Sequence, residues 1–338
     1  GAVYRPEVWT PQEAQGVDLL VVALKYGSLP GALESIKTAV GSNTVVMSLM
    51  NGVDSEELIA AQVGAEHLLY SFIKVASHKE ADGYHFDPDA TLGVIYGERF
   101  APFESERVKA VRELFTDSGV NFRVTEHIQE EMWSKFRLNV CNNLPQAILG
   151  AGVGCYSDSD HVKAIQSGLK DELEAIAKAK GIDMSKADSS ATRGSAVPKT
   201  ARYSTLQDLD AKRHTEIDMF SGAIIKMAKE LNIPVILLSQ LNRNVEGRPD
   251  SRPSLSDLRE SGAIEQDADL VLMLSRPALS GRDTDRKSTY PTEGLGVIDI
   301  VKHRNGTTKE LYFRHDPSMT KLEDYVPGIA WMKKNTTA

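Results

Sequence analysis

At 338 residues the chain exceeds one ordinary compact domain, and with 41% hydrophobic and 25% charged residues it sits near the globular average, which excludes a disordered, collagen-like or coiled-coil protein. Its formal net charge of −8 is carried by the first two thirds: from Pro234 onward 15 basic residues balance 15 acidic ones, leaving 24 against 32 before it. That balance excludes a uniformly basic nucleic-acid binder, while a neutral segment with clustered arginines can still hold a phosphate backbone locally.

No window holds eighteen consecutive apolar residues, and the start GAVYRPEVW lacks the basic and apolar regions of a signal peptide. The expectation is a cytoplasmic chain without a membrane span. Cys141 and Cys155 are too few for a disulfide framework or a zinc site, so both read as small packing residues and no metal is expected.

The first elements alternate. VDLLVVALK (17–25), PGALESIKTAV and TVVMSLMNG (44–52) are apolar strand-like runs separated by a helical spacing, the pattern of βαβ units on a parallel sheet. LLYSFIKVAS and ATLGVIYGE add further strands. From about Glu126 to Leu231 the period becomes helical: Ile165, Leu169, Leu173 and Ile176 form one stripe, and Ile217, Phe220, Ile224, Met227 and Leu231 another. After Ile233 strands return in PVILLSQ, ADLVLMLSR, GLGVIDIVKHR and KELYFRHD, with a Ser-, Arg-, Asp-, Pro- and Gly-rich stretch from Ser275 to Gly294 that reads as a mobile loop. The glycine cluster GAGVG at Gly150–Gly154 follows helical sequence and has Cys155 where a third glycine belongs, so it reads as a loop between helices. No GxGxxG turn precedes Val17, and no GxxxxGK[ST] loop occurs in the chain.

Four blocks in order carry a resemblance: VVALKYGSL, VVMSLMNGV, MWSKFRLNVCNNLPQAILG and YSTLQDLDAKRHTEIDMFSGAI. Residues 1 to about 225 resemble ketopantoate reductase, the NADPH-dependent 2-dehydropantoate 2-reductase family of pantothenate biosynthesis. The resemblance implies a Rossmann domain, a helical domain and an active site between them. It also implies a small keto acid as substrate and NADPH as cofactor, whose glycine turn this sequence does not contain. Reduction of a 2-keto acid develops negative charge on the carbonyl oxygen, which needs a proton donor. Lys135 matches the family's general acid; on its own it reads as a helix-surface lysine. Asn139 and Asn143 follow Lys135 at four-residue spacing, placing all three on one face of an α-helix, and match substrate-binding amides. Glu216 matches the acidic catalytic partner; its bland alternative is an ion pair with Lys212 or Arg213. Ser204 and Asp208 match further substrate positions, with Ser204 also placed to cap a helix. Lys25 and Asn51, at strand C-terminal ends, match residues on the nicotinamide side, although Asn51-Gly52 is also a common turn dipeptide.

Past Leu231 the blocks AKELNIPVILLSQLNR, RPSLSDLRESGAIEQDADLVLML, VIDIVKHRNGTT and KLEDY resemble the C-terminal part of DnaB-type replicative DNA helicases, over about Ala228 to Tyr325. The resemblance implies that Gln240 senses a terminal phosphate, that Arg259, Glu260 and Gly262 hold single-stranded DNA, and that Lys302 and Arg304 reach a neighbouring subunit's nucleotide. The phosphate-loop lysine, catalytic glutamate and magnesium-positioning aspartate that precede this part in the family do not occur here. ATP and magnesium are therefore implied by the family and not expected of this chain.

The expected architecture is α/β: a truncated Rossmann-type parallel sheet (1–125), an all-helical domain (126–229) and a partial RecA-like α/β segment (230–338), with a join near Met227–Pro234. Three functions follow. They are a ketopantoate reductase-like oxidoreductase impaired by the missing nucleotide turn, a helicase fragment that contacts single-stranded DNA, and an inactive chimeric product. The sequence fixes no oligomeric state.

Overall fold

The computed structural model describes residues 6–75, 77–80, 83–86, 91–187, 198–232, 252–258, 268–315 and 322–328, with isolated positions 241, 245 and 266. The chain divides into two compact units, Gly1–Ile236 and Leu237–Ala338.

In the first unit, strand β1 (Leu19–Val22) leads through helix α1 (Leu29–Ala39) to β2 (Val45–Ser48), and β1 and β2 pair in parallel. Pro30 in the first turn of α1 fits there because its missing N–H would have had no intrahelical partner. Leu29 and Ile36, two turns apart, drive α1 onto Val22 and Val46, and α2 (Ser55–Val63) adds Ile59 to the same core. Strand β3 (Tyr70–Lys74) continues the sheet through a parallel bridge between Val46 and Leu68.

The direction then reverses. β1 and β2 keep the expected parallel pairing, while the hairpin of β4 (Ser77–Glu80) and β5 (Gly83–Phe86) follows β3, and β6 (Gly93–Gly97) lies antiparallel to β3. A parallel neighbour needs a crossover, usually helical, and the described residues between β3 and β6 form the β4–β5 hairpin instead. Helix α3 (Glu106–Phe115), whose N-cap Ser105 accepts the Val108 N–H, provides the crossover that sets β7 (Phe122–Val124) parallel to β6. Gly93, at φ +78°, is required here, since a Cβ would sit 1.7 Å from the Asn121 carbonyl oxygen.

The helical half begins with α4 (Ile128–Leu138), passes through a π-helical turn at Asn139–Asn143, and runs on as α5 (Leu144–Leu149). Left-handed Gly150 ends α5, and the glycine cluster is a loop leading to α6 (Cys155–Asp158) and α7 (Asp160–Ala179). After α8 (Ser204–Asp210) comes a second π-helical turn, Asp218–Gly222, and α9 (Ala223–Glu230). Both apolar stripes read from the sequence reach one core around Trp133, Phe136, Leu173 and Phe220. Ile165 is the exception: it stands exposed on the first turns of α7. Cys141 is buried in this core and Cys155 is half-buried. No described helix is long and apolar enough to cross a membrane.

In the second unit, β8 (Leu270–Ser275), β9 (Leu295–His303), β10 (Lys309–His315) and β11 (Leu322–Asp324) form an antiparallel sheet in the order β11-β10-β9-β8. Val271 and Met273 pack with Leu258 on one face. The stretch between β8 and β9, expected to be a mobile loop, is built around buried Asp285. That carboxylate accepts the N–H groups of Lys287 and Ser288 and the Ser288 hydroxyl, and Thr284 bridges to Pro291. The PVILLSQ run lies outside the described residues.

Candidate active site

Strand β1 ends a few residues before Lys25, which is where a β-strand of an open α/β sheet presents ligand-binding groups. The Lys25 ammonium lies 3.3 Å from Asp208 Oδ2 and 3.4 Å from Glu216 Oε2, and the next residue's backbone, the Tyr26 N–H, donates to Glu216 Oε1 at 3.1 Å. Both carboxylates are nearly buried while Lys25 is 61% exposed. The side chains of Lys25 and of Arg213, 60% exposed, are the cations of this cluster that face water. Arg213 donates through Nε to the other oxygen of Asp208 at 2.8 Å. Glu216 thus pairs with Lys25, and neither Lys212 nor Arg213 takes the place expected in the bland reading. It lies in the stretch just before the Asp218–Gly222 turn and not on a helix surface.

Lys135 sits on α4, half-buried, where its Nζ donates to the Ile73 carbonyl of β3 at 2.7 Å and lies 5.6 Å from the Phe72 ring centroid. Loss of hydration pushes its ammonium down from 10.5 to about 8; nearby Lys74 pushes the same way, against the opposing pull of Glu56 and Glu216. A lysine poised there holds a proton at neutral pH and releases it readily.

The four-residue spacing of Lys135, Asn139 and Asn143 does not keep one α-helical face. The π turn opens at Asn139, where bonding passes from i→i+4 toward i→i+5, and so alters the angular step before Asn143. Asn143 is buried and donates through Nδ2 to Ser204 Oγ at 3.3 Å. Ser204 is the first residue of α8 and not its cap; Tyr203 holds the cap position, its N–H donating to Gln146 Oε1 at 3.0 Å. Asn51 lies three residues past β2 in a half-buried turn completed by Gly52, whose φ of +96° and 2.8 Å clearance to Met219 Cγ exclude a side chain. Among the described residues, neither Asn51 nor Asn139 makes a side-chain hydrogen bond to this cluster.

Sequence reasoning missed three groups. Tyr26 donates its hydroxyl to Asp54 Oδ2 at 2.7 Å, Arg213 braces Asp208, and Glu56, 1% exposed, has its carboxyl pushed up to about 7 by burial, only partly offset by its own N–H and by Ser55. Nothing in their spacing marks them: Tyr26 meets Asp54 across elements, and Glu56 is set apart by burial.

Three family models match the chain in succession. "Ketopantoate reductase PanE/ApbA" matches residues 2–91, "Ketopantoate reductase PanE/ApbA C terminal" matches 127–248, and "DnaB-like helicase C terminal domain" matches 202–324. The chain resembles two unrelated families in succession. The two matches overlap over 202–248, so the join expected near Met227–Pro234 falls inside a stretch that both models claim. A PanE/ApbA family ketopantoate reductase from Ralstonia eutropha JMP134 superposes with a TM-score of 0.56 at 23% identity, over 67% of this chain and 74% of that one. The 2-dehydropantoate 2-reductase of Geobacter metallireducens GS-15 does so at 0.56 and 25%, over 67% and 75%. The replicative DNA helicase DnaB of Leifsonia xyli is 44% identical over 115 residues, 34% of this chain. The chain spans about a quarter of the length of that relative, 24%.

In the DnaB-like part, Gln240, Arg259, Glu260 and Gly262 lie outside the described residues. Lys302 and Arg304, at the end of β9, are both turned onto one neighbouring segment: Lys302 Nζ donates to the Gln266 carbonyl at 3.1 Å, and Arg304 pairs with Asp269 at 2.6 Å. Arg252 bridges buried Asp285 at 2.6 Å and Glu310 at 2.7 Å, an arrangement that ties the loop to β10.

Of the dinucleotide implied by the ketopantoate reductase resemblance, the positions expected on the nicotinamide side, Lys25 and Asn51, lie just past the ends of β1 and β2. For the pyrophosphate, these 338 residues contain no GxGxxG turn.

Proposed function

We propose that the ketopantoate reductase-like part binds a small 2-keto acid and protonates its carbonyl oxygen during reduction to the 2-hydroxy acid. The observation that carries this is the placement of Lys135: an amine depressed to about 8 and held on a carbonyl rather than neutralised by a carboxylate. NADPH, when bound, supplies the hydride. The chain's own residues do the rest. Lys135 delivers its proton to the oxygen on which charge develops. Lys25, paired with Asp208 and Glu216, stands on the nicotinamide side, while Asn143 and Ser204 offer neutral hydrogen-bonding groups to a substrate hydroxyl. Glu216 also fixes the Tyr26 backbone, so the strand end and the helical half are held by one carboxylate.

The test follows NADPH consumption with ketopantoate at high enzyme, alongside calorimetric titration of the keto acid alone. Slow turnover abolished by Lys135→Ala is expected, with a rate that falls as pH rises through about 8 because the acid must be protonated. Absence of both turnover and keto-acid binding sinks the proposal.

For the DnaB-like part we infer at most a weak single-stranded DNA contact, since the 44% identity is the support and Lys302 and Arg304 are already engaged. DNA-stimulated ATP hydrolysis is not expected. Blank results in every assay with an intact cooperative melt would identify an inactive product.

A further inference from the structure

Tyr26 stands at the junction of the two halves of the first unit. It follows Lys25 in the short turn Tyr26–Ser28 after β1, and its ring packs against two cores at once: the sheet core of Val22, Leu29 and Val46, and the helical core of Trp133, Met219 and Phe220. Its two polar groups bond to different elements. The hydroxyl donates to Asp54 Oδ2 at 2.7 Å, in the turn between β2 and α2, and the N–H donates to Glu216 Oε1 at 3.1 Å, in the helical half. The β2–α2 turn also meets the helical half directly: Val53 packs on the helical core, and a Cβ at Gly52 would stand 2.8 Å from Met219 Cγ. Asn51 lies in this turn and Lys25 precedes Tyr26, so three segments that carry expected site residues converge on one residue. We propose that Tyr26 is a positioning residue: its hydroxyl on Asp54 and its N–H on Glu216 join the β1 end, the β2–α2 turn and the helical half, and so set Lys25 and Asn51 against Glu216 and Asp208.

The proposal rests on the reading of this cluster as the keto-acid site, but the joint between the halves exists with or without that role. Packing alone would be served by an apolar ring. A phenylalanine there would take the hydroxyl donor from Asp54, whose Oδ1 already has no partner among the described residues, and a buried carboxylate oxygen left without a donor costs free energy. Burial pushes the Asp54 carboxyl up, and the Tyr26 hydroxyl opposes that rise. The ion pairs of Lys25 with Asp208 and Glu216 cross the same gap. Lys25 is 61% exposed, however, so those pairs are screened by water and hold less firmly than the part-buried bonds of Tyr26.

The experiment measures amide hydrogen exchange by NMR on the full chain, in the wild type, Tyr26→Phe, Asp54→Ala and Asp54→Asn, with calorimetric titration of ketopantoate into each. Tyr26→Phe removes only the hydroxyl. If the two bonds act as one joint, the position-26 amide, which is bonded to Glu216 and not to Asp54, should exchange about fivefold faster, while the Val45 amide on the Asp18 carbonyl keeps its wild-type rate. Asp54→Ala should do the same, and Asp54→Asn, whose amide oxygen still accepts, should restore the protection. Ketopantoate affinity should fall about three- to tenfold in Tyr26→Phe and Asp54→Ala, the factor one hydrogen bond is worth, and recover in Asp54→Asn. A folded Tyr26→Phe chain with an unchanged position-26 amide overturns the inference, as does a loss of protection in Asp54→Asn equal to that in Asp54→Ala. If Tyr26→Phe does not fold, the two Asp54 variants decide by the same measure. Ketopantoate binding that is equal in the wild type and Tyr26→Phe overturns the positioning role. No binding by the wild type, with the amide response intact, would instead overturn the proposed function and leave the joint standing.

Discussion

Lys135→Met separates the stability of the first unit from its chemistry. In the folded chain the lysine titrates near 8 against 10.5 ordinarily. That difference of about 2.5 units makes the charged form costlier than the neutral one by ~3 kcal/mol, an upper value because the residue is only half-buried. The sign follows from the depression. Below the folded value both states are protonated and the penalty is fully present; as pH rises from about 8 to 10.5 the folded amine is neutral first and the penalty vanishes. Methionine removes the charge but also the hydrogen bond to the Ile73 carbonyl, a loss of about 1 kcal/mol. The variant should therefore be more stable than the wild type by roughly 1–2 kcal/mol at pH 7 and less stable by about 1 kcal/mol above pH 10.5. Urea unfolding followed by the fluorescence of Trp133, which is buried in the same core, measures the difference directly. Equal stability differences at both pH values, or a variant weaker at pH 7, would refute the reasoning. Keto-acid reduction should be lost in either case.

Three further outcomes are expected. Arg252→Met leaves the carboxylates of Asp285 and Glu310 buried without their shared cation and should cost about 3–5 kcal/mol in the second unit. Burial alone would raise both carboxyls, but Arg252 and Ser288 at Asp285, and Lys287, Tyr312 and Arg252 at Glu310, outweigh it and lower them. Their stabilisation is thus present above the ordinary carboxylate range and lost as pH falls through the lowered values, so the penalty of Arg252→Met measured by thermal melts should shrink at acid pH. Phe136→Ala empties a fully buried ring site against Phe220 and should lower the unfolding free energy by about 3–5 kcal/mol, read from the urea midpoint. Gly52→Ala forces a side chain onto Met219 at a left-handed position and should cost about 1–3 kcal/mol while weakening NADPH binding, measured by melting-point shift with cofactor.

The periodicity of the sequence was enough for the elements and their cores. Alternating apolar runs marked β1, β2 and β3, and the stripes from Leu169 to Ile176 and from Ile217 to Leu231 meet in one cluster because helical spacing alone fixes which side chains share a face. The motif blocks located Lys25, Lys135, Asp208 and Glu216. What periodicity does not encode is direction and pairing across elements. The antiparallel placing of β6 beside β3, with the β4–β5 hairpin between them in the chain, is a pairing that a count of apolar runs does not register. The π turn at Asn139–Asn143 breaks the α-helical register that the spacing assumed. The site's electrostatics were beyond the sequence for the same reason. Lys25 meets its carboxylates across 183 and 191 residues, and Lys135 and Glu56 owe their shifted protonation chiefly to burial. Desolvation and charge pairing are set by three-dimensional distance, so the sequence determined which groups the first unit possesses, and only the tertiary structure decided which of them stand together and in what state of charge.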